Sequence, residues 1–388
     1  MKIAIFSDTF PPQVDGVSSV ASQLAESLLD RGNEVLVVTI SKNGHRESGR
    51  QSPERYEIIH LPSLPAPVYS GYRVTLPIRQ ASRKLKKFYP DVIHTHTPFS
   101  VGWEAVQSAK KLGVPLVGTH HTFYDHYLKH VKVNFQWAKK FTWKIMVNYY
   151  NHCDMVLSPT QSLADTLIKY GLKSPSEILS NPVNTDLFDS LSRGEKSEEK
   201  KKLGLKGKSF VYMGRVSYEK SIDQVIKAFA IISKKIPDVK LAIIGDGPEK
   251  RPLEILADNL GLEERVIFTG FLYGEKLAKT LGANEVFVTA SKSENMPISV
   301  LEAMAAGLPV IGARALGIPE IIKDNENGFL VPPDNTEEMA EKMMELIGED
   351  ALLDRFSSAS RNLSMKYARE KIAEKHEKIY QSLIESRL

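Results

Sequence analysis

Short runs of β-branched and other apolar residues alternate, in the first half of the chain, with longer segments whose apolar positions recur at helical spacing. The runs fall near 2–7, 34–40, 91–95, 114–119 and 153–158, and the helical segments near 17–31, 101–112 and 160–170. This alternation predicts a parallel sheet covered by helices, because parallel neighbours need a crossover and a helix is the usual one. Between 184 and 208 the pattern lapses into Ser-Arg-Gly-Glu-Lys and Lys-Lys-Leu-Gly-Leu-Lys-Gly-Lys, which reads as the lead into a second domain. The alternation then restarts, with strands near 209–213, 240–245, 265–268, 285–288 and 309–312 and helices near 220–235, 248–260 and 297–306. From 335 onward the period is helical almost throughout, ending in 364–388 without Pro or Gly. The expectation is an α/β chain of two domains, 1–183 and 184–363, with the helix 364–388 crossing back onto the first.

A length of 388 residues exceeds what one core usually organises, which agrees with two domains and makes a cleft between them the default ligand site. A hydrophobic fraction of 42% with 25% charged residues is that of an ordinary soluble protein. The formal charge of +4 is too mild to imply nucleic acid without clustering, and none is expected as a partner. Cys153, the single cysteine, has no intrachain partner and sits in an apolar run, so buried packing in a reducing cytoplasm is expected. The N-terminal apolar run is too short for a secretory signal, and no window of about 20 apolar residues could span a bilayer. Any membrane contact would be peripheral, on the inner face of the plasma membrane.

Three stretches carry chemistry. The first strand runs through Asp15-Gly16-Val17 into a helix with one glycine in the turn, where a dinucleotide fingerprint would have three, which argues against a nicotinamide enzyme. The helix N-terminus still aims free amides at an anion near Gly16. In the second half, Gly214-Arg215 and Lys220 follow a strand, and two cations at that edge suit a diphosphate and the charge growing on it as it leaves. The run Glu294-Asn295-Met296-Pro297-Ile298 then opens a helix that carries Glu302. Its two carboxylates can accept bonds from sugar hydroxyls, and the amides from Asn295 to Ile298 can bind ligand oxygens.

Seven of ten histidines lie between 94 and 152, led by His94-Thr95-His96-Thr97 and His120-His121-Thr122 after two strands. Both pairs are expected at the carboxyl edge of the sheet, where open α/β sheets bind ligands. His126 and His130 beside Asp125 could share a helix face, but no His-Glu-x-x-His or cysteine partner supports a zinc site.

Taken together, Asp15-Gly16-Val17, the Gly-Arg-x4-Lys set, Gly245-Asp246-Gly247-Pro248 and the Glu-x7-Glu run into Glu-Ala-Met-Ala-Ala-Gly-Leu-Pro-Val resemble the family-four retaining glycosyltransferases of GT-B fold, in order and over nearly the whole chain. The resemblance implies two Rossmann-like domains facing a central cleft. It implies that Glu294 contacts the donor hexose, Glu302 the ribose, and Arg215 and Lys220 the diphosphate, with Gly245, Asp246 and Gly247 beside the nucleotide. It places His121, in preference to His120, near the reacting sugar. No cofactor and no obligatory metal are implied, since cations and helix dipoles stand in for Mg²⁺. No pair of carboxylates suggests a glycosidase-like mechanism, so front-face attack is expected.

The stretch His121-Thr122-Phe123-Tyr124-Asp125-His126-Tyr127 is also similar to the bacterial diacylglycerol glucosyltransferases, where a His-Thr-x-Tyr-x-x-Tyr sequence precedes a basic aromatic segment. On that likeness the acceptor is diacylglycerol or a glycolipid, the donor UDP-glucose, and the acceptor residues are Asp15, Gly16, His96, His121, Tyr124 and Tyr127. As a helix, 135–144 puts Trp137, Lys140 and Lys144 on one side, as an interfacial helix on an anionic membrane would. A plain covering helix with buried aromatics is the alternative. A soluble sugar or glycerate acceptor stays open, as do a nonhydrolysing nucleotide-sugar epimerase, opposed by the Glu-x7-Glu helix, and a noncatalytic sensor, opposed by the histidines.

Overall fold

The computed structural model describes every residue except 14, 42–54, 66–72, 77, 79, 124–134 and 388. The chain divides into two compact units, Met1–Pro182 with Arg369–Leu388, and Val183–Ala368. In chain order the first carries β1 (Lys2–Phe6), α1 (Gly16–Asp30), β2 (Glu34–Ile40), β3 (Glu57–Leu61), the short antiparallel pair β4 (Leu64–Pro65) and β5 (Arg73–Val74), and α2 (Ser82–Phe88). It continues with β6 (Val92–Thr95), α3 (Ser100–Leu112), β7 (Leu116–Thr119), α4 (Gln136–Tyr150), β8 (Met155–Ser158), α5 (Gln161–Lys169) and β9 (Ser176–Ile178). Among the described residues its parallel sheet has the order β3-β2-β1-β6-β7-β8-β9.

The second unit holds α6 (Arg193–Lys202), β10 (Ser209–Met213), a 3₁₀ turn (Tyr218–Lys220), α7 (Ile222–Ser233), β11 (Lys240–Ile244), α8 (Lys250–Asn259), β12 (Val266–Gly270) and α9 (Gly274–Gly282). Then come β13 (Val286–Thr289), α10 (Ile298–Ala305), β14 (Val310–Ala313), α11 (Ile318–Ile321), β15 (Gly328–Val331), α12 (Thr336–Gly348) and α13 (Asp350–Ser364). Its sheet runs β12-β11-β10-β13-β14-β15. α14 (Arg369–Glu385) returns to the first unit.

Both sheets are covered on two faces, which is why the strands read as continuous apolar runs: β10, β13, β14 and β15 are buried along their whole length. α7 shows the complementary helical spacing, burying Ile222, Val225, Ile226, Phe229 and Ile232 on one stripe. Each sheet steps outward from its first strand and then reverses, between β1 and β6 and between β10 and β13. That reversal is the Rossmann switch point, and it opens a crevice at the carboxyl ends of those strands.

α14 is held on the first unit by apolar burial and by charge. Ile372, Ala373 and Tyr380 enter the core with Ile3, Leu24, Leu28 and Val37, while Glu377 takes Arg31 at 2.6 Å and also the side-chain amide of Asn33. The terminal helical stretch breaks at 365–368, so α13 belongs to the second unit and α14 to the first.

The segment 184–208 holds more structure than its polarity suggested. α6 buries no residue, so periodicity could not reveal it, but a reciprocal capping box between Ser192 and Glu195 starts it, and Lys196 and Lys200 reach Glu285. Cys153 is buried as expected, and desolvation pushes its thiol well above the usual range.

Candidate functional site

At the switch point of the first sheet, Asp8 is consumed structurally. It accepts from Thr97 Oγ1 at 2.5 Å, Ser100 Oγ at 2.7 Å and the Val101 amide at 3.1 Å, so it caps α3; burial raises its carboxyl despite these bonds. Asp15 caps α1, accepting from the Ser18 amide at 2.8 Å and Thr9 Oγ1 at 3.1 Å. Beside it Gly16 opens the helix into space: a Cβ built there would meet nothing within 4 Å.

The histidines pack against one another. His96 Nδ1 lies 3.0 Å from His121 Nε2 with the rings stacked, and His94 lies over His96 at 4.3 Å between centroids. His94 is fixed at both nitrogens, by Tyr380 Oη at 2.6 Å and Thr119 Oγ1 at 2.7 Å, and His376 of α14 flanks it. His120 is enclosed between Trp143 and Tyr150, whereas His121 keeps 9% of its surface. Desolvation lowers all of them, His120 and His121 to about 3 and His376 to about 4, so the cluster is neutral at pH 7. Tyr124, Tyr127, Asp125, His126 and His130 lie outside the described residues.

α4 has two faces. Trp143, Met146, Tyr149 and Tyr150 are buried, while Trp137 (68% exposed), Phe141 (59%) and Ile145 (44%) form an outward stripe with exposed Lys140 and Lys144 beside it. The sequence placed Trp137, Lys140 and Lys144 on one side, and all three are exposed there, while the opposite side buries Trp143, Tyr149 and Tyr150. Phe141 and Ile145, which the sequence reading passed over, stand four and eight positions after Trp137, as one helical face requires.

The carboxyl edge of the second sheet is built on close backbone approach. Gly245 (φ +143°) and Gly247 (φ +158°) lie against the loop 214–216, and a Cβ on them would come within 1.9 Å of Gly214 O and 2.3 Å of Val216 O. The Val216 amide donates to Asp246 O at 3.0 Å and the Gly214 amide to Ile244 O at 3.0 Å, so the two loops are laced together. This holds Arg215 exposed at the switch point, where it makes no ion pair among the described residues, while the buried Tyr212 hydroxyl donates to its carbonyl at 3.2 Å.

Lys220 Nζ, at the end of the 3₁₀ turn, is in direct contact with Glu294 Oε1, and both side chains are about four-fifths buried, at 22% and 19% exposure. Glu294 leads through the buried Asn295 and Met296 to Pro297, the N-cap of α10, one position earlier than a helix-opening proline would sit. On α10 the Glu302 carboxyl meets no cation or donor among the described residues, and desolvation alone pushes it up to about 8. The far end of α10 is pinned by α13, with Arg361 Nη1 donating to Ala305 O at 2.6 Å and Ser357 Oγ to Gly307 O at 2.5 Å. Tyr212, Tyr380 and Thr119 were not singled out from sequence; Tyr380 reaches His94 across 286 positions, a distance over which a single sequence gives no signal.

Two Rossmann-type sheets, each with charged or polar residues at its switch point, are the architecture of the GT-B fold. Solved structures of the same architecture include sucrose-phosphate synthase of Thermosynechococcus elongatus (TM-score 0.80, 21% identity, 99% of each chain) and Anabaena HepE in complex with UDP-glucose (TM-score 0.79, 20% identity, 98% of this chain and 100% of that one). The family model Glycosyltransferase Family 4 matches residues 14–187, and Glycosyl transferases group 1 matches 195–363. Alpha-monoglucosyldiacylglycerol synthase of Acholeplasma laidlawii is 30% identical over 99% of this chain and 98% of its own. Sulfoquinovosyl transferase SQD2 of Arabidopsis thaliana is 30% identical over 94% and 70%. The chain belongs to the family-four, group 1 glycosyltransferases and is related to glycolipid synthases among them.

Proposed function

We propose that this glycosyltransferase is retaining, takes glucose from UDP-glucose and delivers it to the hydroxyl of diacylglycerol or a related glycolipid at an anionic membrane surface. Near-full-length kinship to an alpha-monoglucosyldiacylglycerol synthase supports the donor and acceptor classes. The observation that carries the lipid half is the exposed Trp137, Phe141 and Ile145 stripe with Lys140 and Lys144. Aromatic and aliphatic side chains flanked by lysines suit the boundary between headgroups and acyl chains. Leu64, Leu76 and Ile78, exposed in the segment after β3, leave the same carboxyl edge of the parallel sheet as the segments that follow β6 and β7. No helix among the described residues is long and apolar enough to cross a membrane.

In this reading Arg215 and Lys220 hold the diphosphate, Glu294 the hexose hydroxyls and Glu302 the ribose, with Gly245, Asp246 and Gly247 shaping the nucleotide's seat and the Asn295–Ile298 backbone binding ligand oxygens. The acceptor oxygen bonds to the anomeric carbon on the face from which the diphosphate departs, the carbon–oxygen bond to the diphosphate breaks, and the acceptor proton passes to a diphosphate oxygen. Arg215 and Lys220 stabilise the charge that develops there, the task a metal would otherwise perform. Neutral His121 and His96 contact the acceptor without adding a competing charge.

The test is a product assay with a panel of nucleotide sugars against detergent-dispersed diacylglycerol and, separately, soluble acceptors. An α-linked glucosyl lipid formed from UDP-glucose is the expected result. Transfer to soluble acceptors alone would remove the lipid reading.

A further inference from the structure

The two cations at the second sheet's edge are not equivalent. Arg215 is exposed and without an ion pair among the described residues, while Lys220 is committed to Glu294 in a mostly buried contact. An incoming nucleotide that takes Lys220 to its diphosphate draws it away from an existing partner, and what happens to Glu294 then depends on the ligand.

We infer that Lys220 and Glu294 form an exchange pair by which the site discriminates the sugar-charged nucleotide from its sugar-free product; this rests on the nucleotide-sugar reading above. When a nucleotide sugar binds, Lys220 passes to the diphosphate and the hexose hydroxyls donate to the Glu294 carboxylate, so both ends of the broken pair are satisfied. When a nucleoside diphosphate binds, Lys220 is drawn away by the terminal phosphate, but no hydroxyl arrives for Glu294. A mostly buried carboxylate is left without its partner, facing a phosphate that has itself gained charge. Removing one member of such a pair costs more than the pair contributes while intact, because the survivor keeps its desolvation penalty. The product is therefore disfavoured by the same contact that the donor exchanges evenly, and its release is assisted.

Titration calorimetry with UDP, ADP, GDP and UDP-glucose, on the full chain and its variants, tests this. Glu294→Gln, checked for native circular dichroism, should bind the sugar-free nucleotide about tenfold more tightly than the natural protein and bind UDP-glucose no better, since Lys220 is no longer contested. In a Lys220→Met background the same Glu294→Gln change should tighten UDP binding by less than about threefold. Unchanged or weaker UDP binding by Glu294→Gln would overturn the inference while leaving the nucleotide-sugar reading intact. Equal tightening in both backgrounds would also overturn it, in favour of plain charge repulsion. Failure of the natural protein to bind any of the nucleotides would remove both.

Discussion

The two sheet edges start from the same topology and end with opposite contents. In the first unit the switch point is filled from within by stacked neutral histidines, one of which, His94, is fixed by Tyr380 and flanked by His376 from α14. In the second unit glycines bring two loops into backbone contact, and the charge is carried by exposed Arg215 and the Lys220–Glu294 pair, beside a Glu302 carboxyl that desolvation pushes up to about 8. The lesson is that a shared fold supplies only the place. A charged ligand calls for close backbone and ionised side chains, whereas an uncharged hydroxyl calls for neutral hydrogen-bonding groups held in fixed orientation.

The largest expected effect breaks the backbone side of this comparison. Gly245→Ala should lower stability by at least ~3 kcal/mol, because its Cβ would stand 1.9 Å from Gly214 O at a φ of +143°. Gly16→Ala, the counterpart on the first edge with nothing within 4 Å, should change stability by less than about 1 kcal/mol. Denaturant midpoints measure both; equal losses would show that the two glycines do the same job.

A smaller effect separates the edges by pH, and the signs differ. His121 and His376 fall from an ordinary 6.5 to about 3 and about 4, so the unfolded chain binds more protons over that range. Stability of the first unit is therefore complete above pH 6.5 and is lost as pH falls, by about 1.4 kcal/mol per pH unit for each net proton taken up. Trp103, Trp137 and Trp143 all lie in that unit, so tryptophan fluorescence in a denaturant series reads it alone. A flat profile from pH 7 to 5 would mean that the histidines are not held neutral.

Glu302 runs the other way. Its folded value of about 8 lies above the ordinary 4.5, so the folded state binds the extra proton and the carboxyl weakens the second unit progressively as pH rises between those values. Relative to the natural protein, Glu302→Gln should gain thermal stability from pH 5 to pH 8.5. A difference that stays constant across that range would contradict the isolation of this carboxyl.

Much of the second edge was legible in the sequence because its parts are local: Gly-x-Gly and Gly-Arg-x4-Lys each lie within one strand-to-helix connection, and Glu-x7-Glu runs from such a connection into the helix it opens. The Lys220–Glu294 contact was not, since both residues were assigned to a ligand and their pairing spans 74 positions. The first edge was legible only as a concentration of histidines. Its organisation depends on Tyr380 and His376 arriving from α14, and spacing says nothing about such partners. The alternating pattern also missed β3, β9, β15, α2, α6 and α9; of these, α6 is held by a cap and ion pairs instead of an apolar stripe. It identified the exposed side of α4 from Trp137, Lys140 and Lys144, although Tyr124 and Tyr127 fall outside the described residues.

The central claim is a division of labour, with the donor on the second sheet's edge and the lipid acceptor on the first. Amide hydrogen exchange of the full chain, with UDP-glucose and separately with vesicles containing anionic lipid and diacylglycerol, tests it most directly. The account predicts that UDP-glucose protects the segments around 214–220, 245–247 and 294–302, and that vesicles protect 135–148. Protection by UDP-glucose centred on the histidine edge, with 214–220 and 294–302 unchanged, would contradict it.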